Sequence, residues 1–224
     1  QGESYSQIMD WLSGPKRFLC ASMPTGSGKS LLAVLAGVMG NNRTVILTVT
    51  KGLQAQLSQD FKQVGLEDMR GQNSFPCIEL ANQGNQGSCD EGPCHAGISC
   101  ALKSSGCIYY DQLRKAERAN LVVTNYAYYL AQSHHSSGLG ITKLLVMDEA
   151  HLAFQALESH LTTTIRKSDA ESIGINSNPN LEQDWVAWQE WAAEGHLIST
   201  QLADRAKARI REAHSATKAV TSIE

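Results

Sequence analysis

The stretch Pro24-Thr25-Gly26-Ser27-Gly28-Lys29-Ser30 constrains this chain more than any other part of it. An apolar run from Phe18 to Met23 leads into it, and Leu31, Leu32, Val34, Leu35 and Val38 follow at helical spacing. Apolar run, glycine turn and amphipathic helix together are the sequence form of a strand, a phosphate-binding loop and a helix. Gly26 and Gly28 let backbone N–H groups approach phosphate oxygens, with Thr25 and Ser27 completing the loop. Lys29 can reach the β- and γ-phosphates of a nucleotide, and the Ser30 hydroxyl suits a magnesium ion. The usual first glycine of G-x-x-x-x-G-K-S/T is Met23 here, so the context carries the reading rather than the strict spacing.

The pattern that follows alternates. Gly40-Asn41-Asn42 signals a turn, Thr44 to Val49 is apolar and β-branched enough for a buried strand, and Leu53, Leu57, Phe61 and Val64 mark a helix. Further on, Leu121-Val122-Val123 predicts a strand, Tyr126 to Leu130 a short helix and Leu144 to Met147 another strand. A β-α-β-α order implies an α/β fold with a parallel sheet and right-handed crossovers. The last of these strands ends in Asp148-Glu149-Ala150-His151, at the carboxyl edge where open α/β sheets place ligands. Asp148 is suited to hold the magnesium and Glu149 to orient and deprotonate an attacking water, because phosphoryl transfer needs mainly positioning and charge neutralisation.

Between about Gly71 and Cys107 the aliphatic residues give way to Gly, Asn, Gln, Ser and Cys, leaving little apolar surface for an ordinary core. Five of the six cysteines (Cys77, Cys89, Cys94, Cys100 and Cys107) fall in this segment. Nothing at the N-terminus reads as a secretory signal, so clustered cysteines point to a metal site rather than to disulfides, and the insert is expected to need its metal to fold. A cytoplasmic protein is expected, nucleoid-associated or, in a eukaryote, nuclear. Cys20, in the expected strand before the loop, reads as a small buried side chain. Asn176-Ser177-Asn178-Pro179-Asn180 is a turn cluster, after which two helices are expected, Asp184 to about Glu194 and Ser199 to about Ala219. Trp185, Trp188 and Trp191 form a stripe that reads as helix packing, with base stacking as the other use. Arg205, Lys207, Arg209 and Arg211 read as a solvated face or as a rim for DNA.

Composition excludes several classes. Across 224 residues, 42% are hydrophobic and 18% charged, which is not the balance of a disordered chain, and no apolar run approaches the length of a membrane span. A net charge of -3 gives no global attraction for polyanions, so any nucleic-acid contact must come from a local groove.

These residues resemble the XPD/DinG family of iron-sulphur superfamily 2 DNA helicases. Pro24 to Ser30 is similar to that family's motif I and Asp148 to His151 to its motif II, a DEAH box, with a cysteine-rich insert between them. The resemblance implies a RecA-like motor domain over 1–70 and 108–155, an iron-sulphur insert over 71–107 and a helical arch over 156–224. It also implies ATP and Mg2+ as cofactors, ATP hydrolysis coupled to 5′ to 3′ movement on single-stranded DNA, and a role for His151 in linking the nucleotide and DNA sites. A second motor domain, supplied by further sequence or by another chain, is implied as well. Gln1 is similar to an adenine-reading glutamine, with Gln7 as a rival. Thr48-Val49-Thr50-Lys51, followed by Gln54 and Gln56, resembles the family's motif Ia, which touches the DNA backbone, and Asn125-Tyr126 resembles another DNA-side segment. Thr50 also reads as a helix N-cap and Tyr126 as a buried tyrosine.

For a 4Fe-4S cluster the resemblance points to Cys77 as first ligand and Cys107 as last, although Ile108 stands where the family has Pro. Cys94 and Cys100 are the expected middle pair, and Cys89 is the alternative ligand. Zinc is the rival metal, but its structural sites usually bring a C-x-x-C pair, and none occurs here. Two other functions remain open at this point: a zinc-binding P-loop ATPase, and a DNA-binding regulatory module that does not unwind.

Overall fold

The apolar segments after the glycine loop pair with one another as the β-α-β pattern requires. The computed structural model describes residues 2–135, 139–162, 164, 166–172, 174–175 and 185–221. Helix α1 (Gly2–Ser13) precedes the loop and α2 (Lys29–Met39) follows it. Strand β1 (Thr44–Thr48), helix α3 (Lys51–Asp60), strand β2 (Leu66–Asp68) and the short helix α4 (Ile78–Asn82) come next. After the cysteine segment come α5 (Ile108–Arg118), β3 (Leu121–Asn125), α6 (Tyr126–His135), β4 (Leu144–Met147) and α7 (Ala153–Leu161). Helices α8 (Lys167–Ser172) and α9 (Trp185–Thr221) follow.

The strands lie in the order β2-β3-β1-β4, and every neighbouring pair is parallel. Thr44 is level with Leu121 on one side and Leu144 on the other, so the carboxyl ends of β1, β3 and β4 share one edge of the sheet. The two central strands are covered on both faces, which is why they are nearly continuous Val, Ile, Leu and Thr. Side chains alternate across the sheet. Ile46, Leu121 and Val123 face a core completed by Val34 of α2 and Leu57 of α3. Val45, Leu47 and Val122 face a second core that contains Tyr109 and Ala116 of α5, Tyr126 and Tyr128 of α6, and three cysteines, Cys77, Cys89 and Cys107. Cys77, Cys89 and Cys107 of the cysteine-rich segment therefore contribute to the sheet's own core, while residues 91–100 group with the second unit.

By its contacts the chain divides into two compact units, residues 1–90 with 101–162, and residues 91–100 with 163–224. The first contains the sheet. In the second, α9 runs without a break, and Gly195 lies against Ile175, where an added Cβ would sit 3.1 Å from the Ile175 Cδ1. No helix among the described residues is long and apolar enough to cross a membrane.

Several local expectations are corrected. Phe18 to Met23 forms no strand: the segment joins no ladder, Phe18 is 82% exposed and Cys20 is exposed rather than buried. A parallel strand is stabilised through its neighbour, and the described ladder stops at β4. The helix expected to reach Val64 ends at Asp60 and gives way to a 3-10 turn, Lys62–Val64, closed by Gly65 in the left-handed region (φ 81°). The two C-terminal helices are one, because the lone Gly195 costs only about 1 kcal/mol within a run of good helix formers. Strand β2 was not foreseen. The turn expected over 176–180 and Gln1 both lie outside the described residues.

Candidate active site

The glycine loop and the end of β4 form one site. Gly26 and Gly28 sit at φ 76° and 86°, a left-handed conformation that side-chain-bearing residues rarely adopt, and α2 starts directly after Gly28. Lys29 and Ser30 thus occupy the first turn of α2, where unpaired N–H groups and the helix dipole favour an anion. From the other side Asp148 continues the sheet, its N–H donating to the Leu47 carbonyl at 3.0 Å. Glu149 then turns the chain with φ 50° and ψ 47°, and a 3-10 turn Ala150–Leu152 follows. The Lys29 Nζ lies 3.2 Å from the Glu149 Oε1, which brings together residues 120 positions apart. His151 Nδ1 is 3.4 Å from the other Glu149 oxygen, on a side chain 69% exposed. Lys29, Glu149 and His151 are therefore one cluster, with Asp148 at its base and Ser30 beside Lys29 in the same turn.

A tyrosine not assigned to this site reaches it. Tyr126 is buried at the start of α6, and its hydroxyl donates to the Asp148 carbonyl at 2.8 Å. Burial, followed by the charges of Asp148 and Glu149, pushes its phenol up to about 12, so it stays a donor through the neutral range. Sequence gave no signal for this contact between residues 22 positions apart.

The residues assigned to a nucleic-acid surface fall into two groups. Lys51 and Gln56 are exposed on α3. Thr50 caps α3 by accepting the Leu53 N–H at 3.2 Å, as its residue type foretold. Thr48 is fully buried, and its hydroxyl lies 3.4 Å from the carbonyls of Thr50 and Thr124. Asn125 is engaged at both ends of its amide: the Oδ1 accepts the Tyr128 N–H at 2.8 Å and the Nδ2 is 3.4 Å from the Gln54 Oε1. Gln54, which the motif Ia resemblance included, is a buried hub. Its Nε2 donates to the Asp68 Oδ1 at 2.6 Å and to the Met69 carbonyl at 2.8 Å, and Arg70 closes the group through Asp68. Arg43, unforeseen from sequence, donates to the carbonyls of Ala116, Glu117 and Leu139 and so holds the C-terminal end of α5.

Three of the five clustered cysteines come to one core. Backbone bonds from Cys77 to Gly87 and from Cys89 to Phe75, both 2.9 Å, pair two short stretches and set these thiols near each other. Cys107 joins them from the residue preceding α5. Burial and the neighbouring thiols of Cys107 and Cys77 push the Cys89 thiol well above its usual range. Cys94 and Cys100 belong to the second unit and are partly exposed. Among the described residues, no three of His, Cys, Asp and Glu converge so as to hold a metal ion.

A parallel sheet with a glycine loop opposite an acidic strand end defines a P-loop nucleotide hydrolase with a RecA-like fold. Within that class, the sequence pattern of the DEAD/DEAH box helicase family matches residues 1–179, and the chain belongs to that family. It carries the domain of an ATP-dependent superfamily 2 helicase, which binds ATP and nucleic acid. None of the curated proteins compared with it matches.

Proposed function

We propose that this chain is the ATP-binding half of an iron-sulphur DNA helicase of the XPD/DinG type, moving 5′ to 3′ along single-stranded DNA. Lys29 neutralises the β- and γ-phosphates, Ser30 and Asp148 hold Mg2+, and Glu149 orients and deprotonates the attacking water. Bound magnesium supplies charge neutralisation at the phosphates, and one hydroxyl with one carboxylate is a donor set of the hard-oxygen kind it takes. Gln1 or Gln7 reads the adenine, and His151, paired with Glu149 but open to solvent, links the nucleotide and DNA sites. A second motor domain, from further sequence or another chain, closes over the nucleotide. Lys51 and Gln56 contact the DNA backbone, while Thr48, Thr50 and Asn125 hold their loops in shape.

The observation that supports the iron-sulphur reading is the burial of Cys77, Cys89 and Cys107 in one core of the motor, although among the described residues they do not converge as a metal-ligand set. The thiols suit the group chemically, since iron-sulphur clusters are held by four cysteine thiolates, of which Cys77, Cys89 and Cys107 would supply three. This grouping favours Cys89 over a set of Cys77, Cys94, Cys100 and Cys107. A cluster held there would cross-link the insert to the helix that begins at Ile108, the residue after Cys107. Because the thiols must lose their protons to ligate, loading is favoured by higher pH.

The test is metal analysis of the full-length protein purified without oxygen. Iron and sulphide in a ratio near one, with broad visible absorbance, are expected, and Cys89→Ser or Cys107→Ser should remove both while Cys20→Ser keeps them. Stoichiometric zinc without iron would overturn the assignment. Direction is read separately, by displacement of a duplex carrying either a 5′ or a 3′ single-stranded tail, with only the former expected to be unwound.

A further inference from the structure

The peptide that joins Asp148 to Glu149 has an unusual task. It must leave strand β4 and immediately place a side-chain-bearing residue in the left-handed region, at φ 50° and ψ 47°. For an L-residue other than glycine that conformation costs about 1–2 kcal/mol, and it persists only where neighbouring groups hold it. Among the described residues Asn41 alone shares this feature, and it lies in a turn where asparagine is at home. On one side of Glu149 the Asp148 N–H is fixed to the Leu47 carbonyl, and on the other the Glu149 carbonyl accepts the Leu152 N–H at 2.8 Å. The peptide plane between those two points is gripped by Tyr126, whose hydroxyl holds the Asp148 carbonyl at 2.8 Å. That carbonyl and the Glu149 N–H belong to the same plane, so rotating one changes φ of Glu149 directly. The Tyr126 ring is itself pinned, being buried in the core with Val45, Leu47 and Val122.

We propose that Tyr126 is a positioning residue for ATP hydrolysis: it locks the 148–149 peptide so that the Glu149 carboxylate stays aimed at the phosphate loop. The proposal rests on the reading of Glu149 as the base that activates water. It places the first residue of α6 in the hydrolytic machinery through a backbone contact, with no contact of its own to nucleotide. Adjacent Asn125 and Gln54 fix the start of the same helix, so the hydroxyl arrives from a rigid support.

Tyr126→Phe in the full-length protein removes one hydroxyl and keeps the ring. Released from the tyrosine, the peptide can rotate and Glu149 samples misdirected geometries, so kcat for ATP should fall about tenfold, a small misplacement of a catalytic group being enough for that loss. The KM for ATP and the affinity for ADP, which depend on the loop and Lys29, should stay within about twofold, and the melting temperature should move little. An unchanged kcat overturns the proposal, and so does a loss shared between kcat, ADP affinity and melting temperature, which would mark a merely structural role. Glu149→Gln measured alongside separates the two ideas. If Glu149→Gln keeps normal turnover, the base assignment itself fails; if it is inactive while Tyr126→Phe is fully active, only the role of Tyr126 falls.

Discussion

Lys29 and Glu149 are the two residues whose roles depend most directly on their proximity of 3.2 Å. Their side chains are 29% and 37% exposed, so as an ion pair they contribute at most about 1 kcal/mol to stability. Removing either should therefore leave the fold intact and act on chemistry. Lys29→Ala is expected to abolish turnover by weakening nucleotide binding, whereas Glu149→Gln should keep ADP affinity and lose at least about a hundredfold in kcat, the usual contribution of a general base. Steady-state hydrolysis together with ADP titration distinguishes the two losses; equal effects on binding from both variants would contradict the separate roles. At this scale the sequence foresaw the placement of Lys29 beside Glu149 at the end of the last strand, since a glycine loop and an acidic strand end have a common place in such a fold. It foresaw a buried Tyr126 but not its bond to the Asp148 carbonyl, nor the contacts of Gln54 with Asp68 and Met69, because such partners leave no pattern of spacing.

Among the elements, α2 carries the nucleotide loop, and its seat on the sheet depends on Gly37. A Cβ there would lie 2.6 Å from the Leu121 Cδ2 and 2.8 Å from the Thr44 Oγ1, both on fully packed strand residues. Alanine gains about 1 kcal/mol of helix propensity over glycine, but overpacking a filled interface costs about 1–3 kcal/mol, so Gly37→Ala should be destabilising on balance. Gly52 in α3 has nothing within 4 Å of the same position, and Gly52→Ala should raise stability by up to about 1 kcal/mol. Thermal unfolding should show opposite shifts for the two variants, and a stabilised Gly37→Ala would mean that α2 does not sit as tightly as the structure places it. Strands β1, β3 and β4 were readable because parallel strands buried on both faces must be nearly all apolar. Strand β2 was not, since Leu66-Glu67-Asp68 offers one apolar residue and is held by its ladder to β3. The segment Phe18 to Met23 failed in the opposite sense, having the composition of a strand but no ladder in which to use it. The grouping of Cys77 with Cys89 was hidden for a related reason: it is made by backbone bonds between residues 75–77 and 87–89, which side-chain spacing cannot reveal.

For the whole molecule, a net charge of -3 means that the global field does not draw a polyanion in. Nucleic-acid binding must then come from a few local contacts, and on the proposed reading Lys51 and Gln56 of α3 are among them. With Thr48 buried and Asn125 committed to Gln54 and Tyr128, little in this region is free to read base edges, so the contacts should go to phosphates and be nearly indifferent to sequence. A motor that advances along a strand must also release each contact in every cycle, which favours weak polar donors over tight base-specific pairs. Affinity of the full-length protein for single strands should therefore fall as salt rises, with a slope of about 0.7 for each phosphate neutralised, and Lys51→Ala should reduce that slope by about one such increment. Strands of different sequence should bind within a few-fold of one another, and blunt duplex more weakly than either. Strong discrimination between sequences, or a salt slope that Lys51→Ala leaves unchanged, would place the binding surface elsewhere on the molecule.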